Sequence, residues 1–225
     1  MTALTPVIAI DGPSASGKGT VSQKVATGLG FHFLDSGALY RLVGLAALQR
    51  GVPLDDPDIV AAVAGNLDVV FEGGGVRMDG RNVTDAIRAE EVGVAASRVA
   101  ALEPVRAALL GRQRAFRQPP GLVADGRDMG SVVFPDAGLK IFLTATSEER
   151  ARRRYNQLME KGMRASMGAL LQEILDRDDR DSRRAVAPLQ KCSDAIELDT
   201  THMTVDDAVA QVLALYHKKA APKAP

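Results

Sequence analysis

The feature that most constrains the fold of this chain is a glycine-rich segment near its beginning. The segment follows the apolar run Val7–Ile10 and precedes two valines and a leucine at helical spacing, so the pattern predicts a strand, a loop and a helix. Backbone N–H groups of such a loop surround a phosphate, and the helix N-terminus adds positive potential. A flexible turn is the alternative, but the signals on both sides favour phosphate binding. We name this segment the phosphate-binding loop; its residues are Gly12, Pro13, Ser14, Ala15, Ser16, Gly17, Lys18, Gly19 and Thr20.

Within this loop, Lys18 supplies a mobile positive charge for the β- and γ-phosphates of a nucleotide. In the usual pattern a Ser or Thr follows the lysine directly, whereas here Gly19 intervenes and the hydroxyl belongs to Thr20. The Gly-Lys-Gly-Thr order resembles that of the nucleoside monophosphate kinases. No direct protein ligand of Mg²⁺ can therefore be assigned from the loop.

The composition fits one globular domain and argues against several classes of partner. The 225 residues carry 28 basic and 28 acidic side chains, so a general electrostatic attraction to nucleic acid or a membrane surface is not expected. Apolar runs stay far below the ~20 residues of a membrane span, and no signal-peptide pattern is evident. The single cysteine, Cys192, fits a reducing compartment. We therefore expect a cytoplasmic protein without nucleic-acid or membrane partners.

Short apolar runs alternate with helical patterns along most of the chain. This alternation predicts an α/β fold with a parallel sheet covered by helices on both faces. Ligands of such sheets bind beyond the carboxyl ends of the strands. The candidate strands are Val7–Ile10, Phe31–Leu34, Leu122–Ala124, Leu139–Leu143 and Ala195–Leu198, and the candidate helices are Val21–Leu29, Leu39–Gln49, Glu148–Glu160 and Val205–Tyr216.

A segment from about residue 52 to residue 103 interrupts the alternation. It contains two short strand patterns around a glycine-rich turn, followed by a helical run from Ala86 to Leu102. We expect an inserted subdomain here, within a single domain of residues 1–217 whose core is formed by residues 1–51 and 104–217. Residues 218–225 are rich in Pro, Ala and Lys and are expected to be disordered.

Two acidic clusters follow candidate strands and so fall at the same sheet edge as the phosphate-binding loop. They are Asp35-Ser36-Gly37, with Arg41 six residues after the aspartate, and Asp125-Gly126-Arg127-Asp128. A carboxylate at the end of a buried strand can organise Mg²⁺ through water, and Asp35 and Asp125 both qualify. An ordinary Asp-Gly turn is the alternative, but the loop upstream favours a site.

The run 176–184 carries four arginines and four aspartates. Arg177, Asp181 and Arg184 are spaced to lie on one helix face. A solvated, weakly ion-paired surface is the usual meaning of such a run. The alternative is an arginine clamp for a nucleotide, since the planar guanidinium meets two phosphate oxygens at once.

A second basic cluster spans about residues 150–164 and includes Arg150, Arg153 and Arg154. It could be an exposed helix. Because it lies between two candidate strands, it could equally be a lid that closes over a transferring phosphoryl group.

Taken together, these motifs resemble bacterial cytidylate kinase. The resemblance rests on Asp35-Ser36-Gly37 with Arg41, on Ala124–Gly130, on Arg112–Arg117 and on the run that ends at Leu189, and it covers nearly the whole chain. It implies a P-loop core with five parallel strands, an inserted subdomain that binds the monophosphate, and a short lid. The implied reaction is ATP + CMP → ADP + CDP, with dCMP as a second acceptor and Mg²⁺ required.

The resemblance also implies roles for individual residues. ATP would be bound by the phosphate-binding loop, with Lys18, Arg127 and the arginines at 150, 153 and 154 neutralising the phosphoryl group during transfer. For CMP, the resemblance implies that the phosphate is bound by Ser36, Arg41 and Arg127. The cytosine would be contacted by Ser97, Arg106, Asp128 and Arg184, and the ribose by Arg177 and Asp181.

Other functions remain open from the residues alone. The nearest is another small P-loop kinase that acts on AMP, UMP or shikimate. A GTPase-like switch would need a guanine-binding Asn-Lys-x-Asp motif, which this sequence lacks. A nucleic-acid-binding module is disfavoured by the zero net charge and by the small number of aromatic residues, six Phe and three Tyr. We expect a monomer.

Overall fold

A computed structural model of the protein describes residues 4–72 and 74–220. These residues form two compact units. The first contains the chain up to Leu34 and from Phe116 onward, and the second is Asp35–Ala115. The predicted insert, residues 52–103, lies inside the second unit, which begins earlier and ends later than predicted. The wider boundaries follow from helix packing, because the helices that flank the insert in sequence pack against helices within it.

Within residues 4–72 and 74–220 there are eight strands. In chain order they are β1 (Val7–Asp11), β2 (His32–Asp35), β3 (Val69–Glu72), β4 (Gly75–Met78), β5 (Arg81–Asn82), β6 (Leu122–Gly126), β7 (Leu139–Thr144) and β8 (Ile196–Asp199).

The same residues contain eight α-helices. They are α1 (Lys18–Leu29), α2 (Ser36–Gln49), α3 (Pro57–Gly65), α4 (Glu90–Val99), α5 (Glu103–Arg114), α6 (Ser147–Glu160), α7 (Met167–Ser182) and α8 (Val205–Ala220). A 3₁₀ turn at Ala86–Arg88 and a π-helical turn at Met129–Val133 complete the regular structure.

The first unit is built on a five-stranded parallel sheet in the order β2-β6-β1-β7-β8. All five strands occur within two residues of their predicted positions. The order places β1 at the centre, where all five of its residues are buried. The phosphate-binding loop therefore leaves the sheet from its most protected strand.

One face of this sheet packs against α1 and α8. Ile8, Ile10 and Ile141 point into this core, where they meet Val25 and Val212 from the two helices. Both helices carry apolar residues at helical spacing, which is why they were predictable. The helix α8 runs to Ala220, so the prediction of disorder from residue 218 is wrong for residues 218–220. Residues 221–225 lie outside the described part of the chain.

Helices α3, α5 and α7 were not among the predicted elements. Each begins with a recognisable signal. Asp56 accepts a hydrogen bond from Ile59 N–H at the start of α3, and Ser166 accepts one from Ala169 N–H at the start of α7. Prolines occupy the first turns of α3 and α5. In the second unit, α2 packs on α4, with Gly44 at the close approach to Ala95. Strands β3, β4 and β5 of the same unit form a small antiparallel sheet.

Across residues 4–72 and 74–220, every helix is too short or too polar to span a membrane.

Gly12 is required by the close approach of β7 at the start of the phosphate-binding loop. A Cβ at this position would lie 2.0 Å from the backbone oxygen of Leu143. Because backbone cannot yield as a flexible side chain can, we expect Gly12→Ala to lower the free energy of unfolding by about 2 kcal/mol or more. Urea denaturation measures this change.

Gly28 provides the matched control for that substitution. It lies in α1, and a Cβ there would lie 3.7 Å from the side chain of Leu213, an ordinary contact. Gly28→Ala should therefore be neutral or stabilise by about 0.5–1 kcal/mol. Equal effects of the two substitutions would contradict the packing argument.

Candidate active site

The phosphate-binding loop folds around its own proline carbonyl. The Lys18 ammonium donates to the Pro13 oxygen over 3.1 Å, and the Ser16 hydroxyl donates to the same oxygen over 3.0 Å. Lys18 is buried, and with Gly19 and Thr20 it forms the first turn of α1. A buried cation at a helix N-terminus favours a bound anion, because both supply positive potential.

Asp125 explains why a glycine follows the lysine. Its carboxylate lies 3.9 Å from Lys18 Nζ, and both side chains are buried. A Cβ at position 19 would lie 3.2 Å from the other oxygen of the same carboxylate. The Gly-Lys-Gly-Thr order therefore leaves room for an acidic side chain beside the loop, while Thr20 is exposed.

Two arginines of α6 hold the outer side of the loop. Arg150 donates to the Ser14 carbonyl over 3.2 Å, and Arg153 donates to the Ser16 carbonyl over 3.0 Å. A loop that turns N–H groups toward a phosphate turns carbonyls away from it, and buried carbonyls need donors. These arginines supply them.

Both arginines are fixed by further partners. Arg150 is buried, donates to the Ala145 carbonyl over 3.0 Å and pairs with Asp178 of α7 at 2.6 Å. Arg153 pairs with Glu149 at 2.8 Å and donates to the backbone oxygen of Thr200. The two side chains thus support the loop and hold α6 against its neighbours.

Arg154 differs from the other two predicted lid arginines. It is half-buried on α6, and within residues 4–72 and 74–220 it makes no hydrogen bond or ion pair. The structure therefore divides the three predicted lid arginines. Arg150 and Arg153 donate to loop carbonyls, whereas the N–H donors of Arg154 have no acceptor among the described residues.

Arg127 follows β6 and is held by Asp181. Its Nε donates to an Asp181 oxygen over 2.9 Å, and its Nη1 donates to the Gly126 carbonyl over 3.2 Å. Nη2 has no hydrogen-bond partner among the described residues. Burial opposes the charge on Arg127, but the carboxylates of Asp181 and Asp125 outweigh it and raise its pKa above the ordinary value.

Asp181 is buried among arginines. Burial favours its neutral form, but Arg127, Arg177 and Arg184 outweigh this effect and lower its pKa below the ordinary value. Asp181 therefore stays charged, and the run 176–184 is a partly buried ion network and not only an exposed surface. The expected helix face is incomplete, because α7 ends at Ser182 and Arg184 lies beyond it, donating to the Asp181 carbonyl over 3.3 Å.

Asp128 directly precedes the π-helical turn and is buried. Its backbone oxygen accepts from the N–H groups of Val132 and Val133 at 2.9 and 3.2 Å. The two N–H groups next in sequence, of Met129 and Gly130, both donate to Asp11. Asp11 was not predicted as a site residue, although its place between an apolar strand and the phosphate-binding loop was a usable signal.

The remaining predicted nucleotide contacts lie in the second unit. Arg41 Nη1 donates to the Ile87 carbonyl over 2.7 Å, and a Cβ at Gly93 would lie 3.1 Å from Arg41 Nη2. Ser36 is buried as the first residue of α2. The preceding Asp35 accepts from Ala38 N–H over 3.0 Å and so caps that helix.

The two predicted cytosine contacts of this unit are both buried, Ser97 on α4 and Arg106 on α5. Arg106 donates to the Ala100 carbonyl over 3.0 Å, and its guanidinium carbon lies 5.6 Å from the ring centre of Tyr40. This places the Arg106 guanidinium over the Tyr40 ring, at a distance that allows a cation–π interaction.

Candidate metal ligands are few. Within the described part of the chain, no group of three or more His, Cys, Asp or Glu side chains could form a metal cage. Asp125 is an acidic side chain that lies beside the phosphate-binding loop, 3.9 Å from Lys18.

A central parallel strand, a phosphate-binding loop with a buried lysine, and arginines around it define the P-loop class of nucleotide-binding proteins. A TT1252 structure from Thermus thermophilus supports the fold, with 18% identity, a TM-score of 0.50 and coverage of 98% of this chain and 100% of that chain.

The cytidylate kinase family matches residues 8–218. The cytidylate kinase of Nitrosomonas eutropha is 57% identical over 211 residues, which are 94% of either chain. The cytidylate kinase of Burkholderia thailandensis is also 57% identical, and the match covers 97% of this chain and 96% of that protein. The cytidylate kinase of Chromobacterium violaceum is 57% identical as well, with 96% of this chain and 97% of that protein covered. The protein belongs to the cytidylate kinase family.

Arg150 should matter for stability because its removal leaves buried groups without a partner. Arg150→Ala strips the Ser14 carbonyl of a donor and Asp178 of its cation. We expect the free energy of unfolding to fall by about 3 kcal/mol, as for other broken buried ion pairs. Denaturant unfolding measures it.

Arg152 is the matched control on the same helix. Its side chain is 65% exposed and, among the described residues, its ion pair is with Glu149, one turn away. Arg152→Ala should change the free energy of unfolding by less than about 0.5 kcal/mol. Similar losses for both variants would show that Arg150 does not support the loop.

Proposed function

We propose that the protein transfers the γ-phosphoryl group of ATP to CMP, giving ADP and CDP, with dCMP as a second acceptor. The observation that supports this most directly is the match to the cytidylate kinase family over residues 8–218. The geometry of the phosphate-binding loop agrees with it, because a buried lysine lies at the N-terminus of α1, where nucleotide phosphates bind.

Phosphoryl transfer requires in-line positioning and neutralisation of charge on the moving group. Lys18 would meet the β- and γ-phosphates from within the loop. Arg154 is the lid arginine best suited to the transferring group, because Arg150 and Arg153 are committed to loop carbonyls. The acceptor is already a phosphate anion at neutral pH, so no general base is needed.

Asp125 fits a role in holding Mg²⁺ through water. It is a buried carboxylate beside the phosphate-binding loop, 3.9 Å from Lys18, and Mg²⁺ in kinase sites keeps several waters and few protein ligands. When bound, the ion would neutralise charge on the phosphates of ATP. Asp35 caps α2, and its own role toward the ion stays a prediction.

The acceptor contacts of the first unit would be made by Arg127, Asp128, Arg177, Asp181 and Arg184. Arg127 Nη2 would donate to the CMP phosphate while Asp181 holds its Nε. Asp128 and Arg184 would contact the cytosine, and Arg177 and Asp181 the ribose.

The second unit would contribute Ser36 and Arg41 to the CMP phosphate and Ser97 and Arg106 to the cytosine. In the structure Arg41 donates to the Ile87 carbonyl. A phosphate would replace that neutral acceptor with a charged one, and charge-assisted hydrogen bonds are the stronger kind. The cytoplasmic location and the monomeric state stay predictions.

A coupled assay of ADP release tests the function. CMP, dCMP, UMP, AMP and shikimate should be offered in turn, and CMP should give the highest kcat/KM. In Lys18→Ala, kcat should fall about 100-fold or more, since one preorganised charge at a phosphoryl-transfer site is worth several kcal/mol. Lys24→Ala is the control, because Lys24 lies on the same helix in an exposed pair with Asp206.

Binding of CMP to Lys18→Ala, measured by calorimetry, should change little. Near-normal turnover of that variant would contradict the role of the phosphate-binding loop. Preference for AMP, UMP or shikimate over CMP would contradict the acceptor and leave the kinase class intact.

Asp128 should determine the choice of base. An ionised carboxylate only accepts hydrogen bonds, so it pairs with the amino group of cytosine and faces another acceptor in uracil. Mismatched buried polar groups cost about 1–3 kcal/mol. Asp128→Ala should therefore lower kcat/KM for CMP by roughly 10- to 100-fold and much less for UMP.

Asp128→Asn sharpens this test, because its amide can donate to the uracil carbonyl. The CMP/UMP ratio of kcat/KM should fall in both variants, and furthest in Asp128→Asn. If Asp128 only completes the π-helical turn, both substrates would lose equally, and an unchanged ratio would place base recognition elsewhere.

A further inference from the structure

Asp11 lies outside every set of predicted nucleotide contacts, yet its carboxylate contacts the backbone that follows two of those residues, Arg127 and Asp128. It is the last residue of β1 and is buried. One of its oxygens accepts from Met129 N–H and the other from Gly130 N–H, both over 2.8 Å. A carboxylate that accepts two backbone N–H groups side by side fixes that piece of backbone.

The fixed backbone is the segment that follows Arg127 and Asp128. Neither Met129 nor Gly130 can shift without breaking a hydrogen bond to Asp11. The space is also tight, because a Cβ at Gly130 would lie 3.0 Å from the Lys140 side chain and 3.4 Å from Asp11. The backbone is therefore held directly after Arg127 and Asp128.

We propose that Asp11 is a positioning residue for the acceptor nucleotide: it clamps the backbone after Asp128, and so orients Arg127 and Asp128 for CMP. Since Gly12 follows Asp11 directly, the clamp also joins the acceptor contacts to the beginning of the phosphate-binding loop. This inference rests on the proposed function, because it assigns CMP to those two side chains.

The clamp needs a charged carboxylate. An ionised Asp11 presents acceptors to both N–H groups, whereas a protonated carboxyl or an amide turns a donor toward one of them. Burial raises the pKa of Asp11 to about 6, although its hydrogen bonds from Gly130 and Met129 lower it.

Charged groups around Asp11 shift its pKa in both directions. The Asp128 carboxylate raises its pKa and the Arg127 guanidinium lowers it. From β7, Lys140 lies against Gly130, and the Cys192 thiol of the segment before β8 interacts electrostatically with Asp11 and Lys140. With a pKa of about 6, Asp11 is charged above that pH and the clamp is complete; below it, one N–H group loses its acceptor.

Asp11→Asn tests the clamp, with Asp206→Asn as the control because Asp206 is 84% exposed on α8. At pH 8, Asp11→Asn should raise KM for CMP about tenfold, the equivalent of one buried hydrogen bond, and KM for ATP less than threefold. The control should change neither. A merely structural role would raise both constants together or leave both unchanged while lowering stability, and either result would overturn the proposal.

The pH profile separates Asp11 from the phosphate of CMP, which titrates near the same pH. The titration of the CMP phosphate affects the wild type and Asp11→Asn alike, whereas Asp11 itself titrates in the wild type only. The ratio of KM for CMP between Asp11→Asn and wild type should therefore fall toward one as the pH decreases from 8 to about 5. A ratio that stays constant would overturn the proposal.

A measurement on the wild type alone covers the case in which Asp11→Asn does not fold. The amide resonances of Met129 and Gly130 should shift together as the pH is changed, with a midpoint near pH 6. If Asp11 does not titrate while bound to these two N–H groups, the resonances should not shift between about pH 5 and 7.5. Failure of the wild type to phosphorylate CMP would contradict the proposed function instead, and the amide titration would still decide whether the clamp exists.

Discussion

The contact on which the rest of the site depends is the pair of hydrogen bonds from α6 to the carbonyls of the phosphate-binding loop. A loop that presents N–H groups to an anion must point carbonyls the other way, into protein, and those carbonyls need donors. Arg150 and Arg153 donate to Ser14 and Ser16. An arginine suits this place because it stays charged and offers several donors in a fixed plane. The helix expected to be a lid thus also supports the phosphate-binding loop.

A second organising principle is the pairing of buried charges at the carboxyl edge of the sheet. Lys18 lies beside Asp125, and Arg127 is held by Asp181. Each cation keeps a carboxylate partner in the protein itself, so neither is left as an uncompensated buried charge. The network holds its cations in place at an edge where the ligands of parallel sheets bind. This geometry favours phosphate, because the arginines can meet it with donors already oriented.

Local patterns made much of the fold predictable. Residues close in sequence, such as apolar runs and glycines, determine several of the elements. These are the five core strands, helices α1, α2, α6 and α8, and the strand–loop–helix around Lys18. Helices α3, α5 and α7 were missed, although their capping signals were present. The end of α7 at Ser182 also escaped the spacing argument, because no Gly or Pro marks it.

The sequence by itself determined the class of the protein: a parallel α/β core, a phosphate-binding loop and the motifs of the cytidylate kinase family. Only the tertiary structure decided what the individual charged residues do. Arg150 lies 136 residues from the carbonyl it holds, and Asp11 lies 118 residues from Met129. No local periodicity encodes such contacts, since they arise where separate strands and helices meet in the folded chain. For that reason the separation of Arg150 and Arg153, which contact loop carbonyls, from Arg154, and the two hydrogen bonds to Asp11, required the structure.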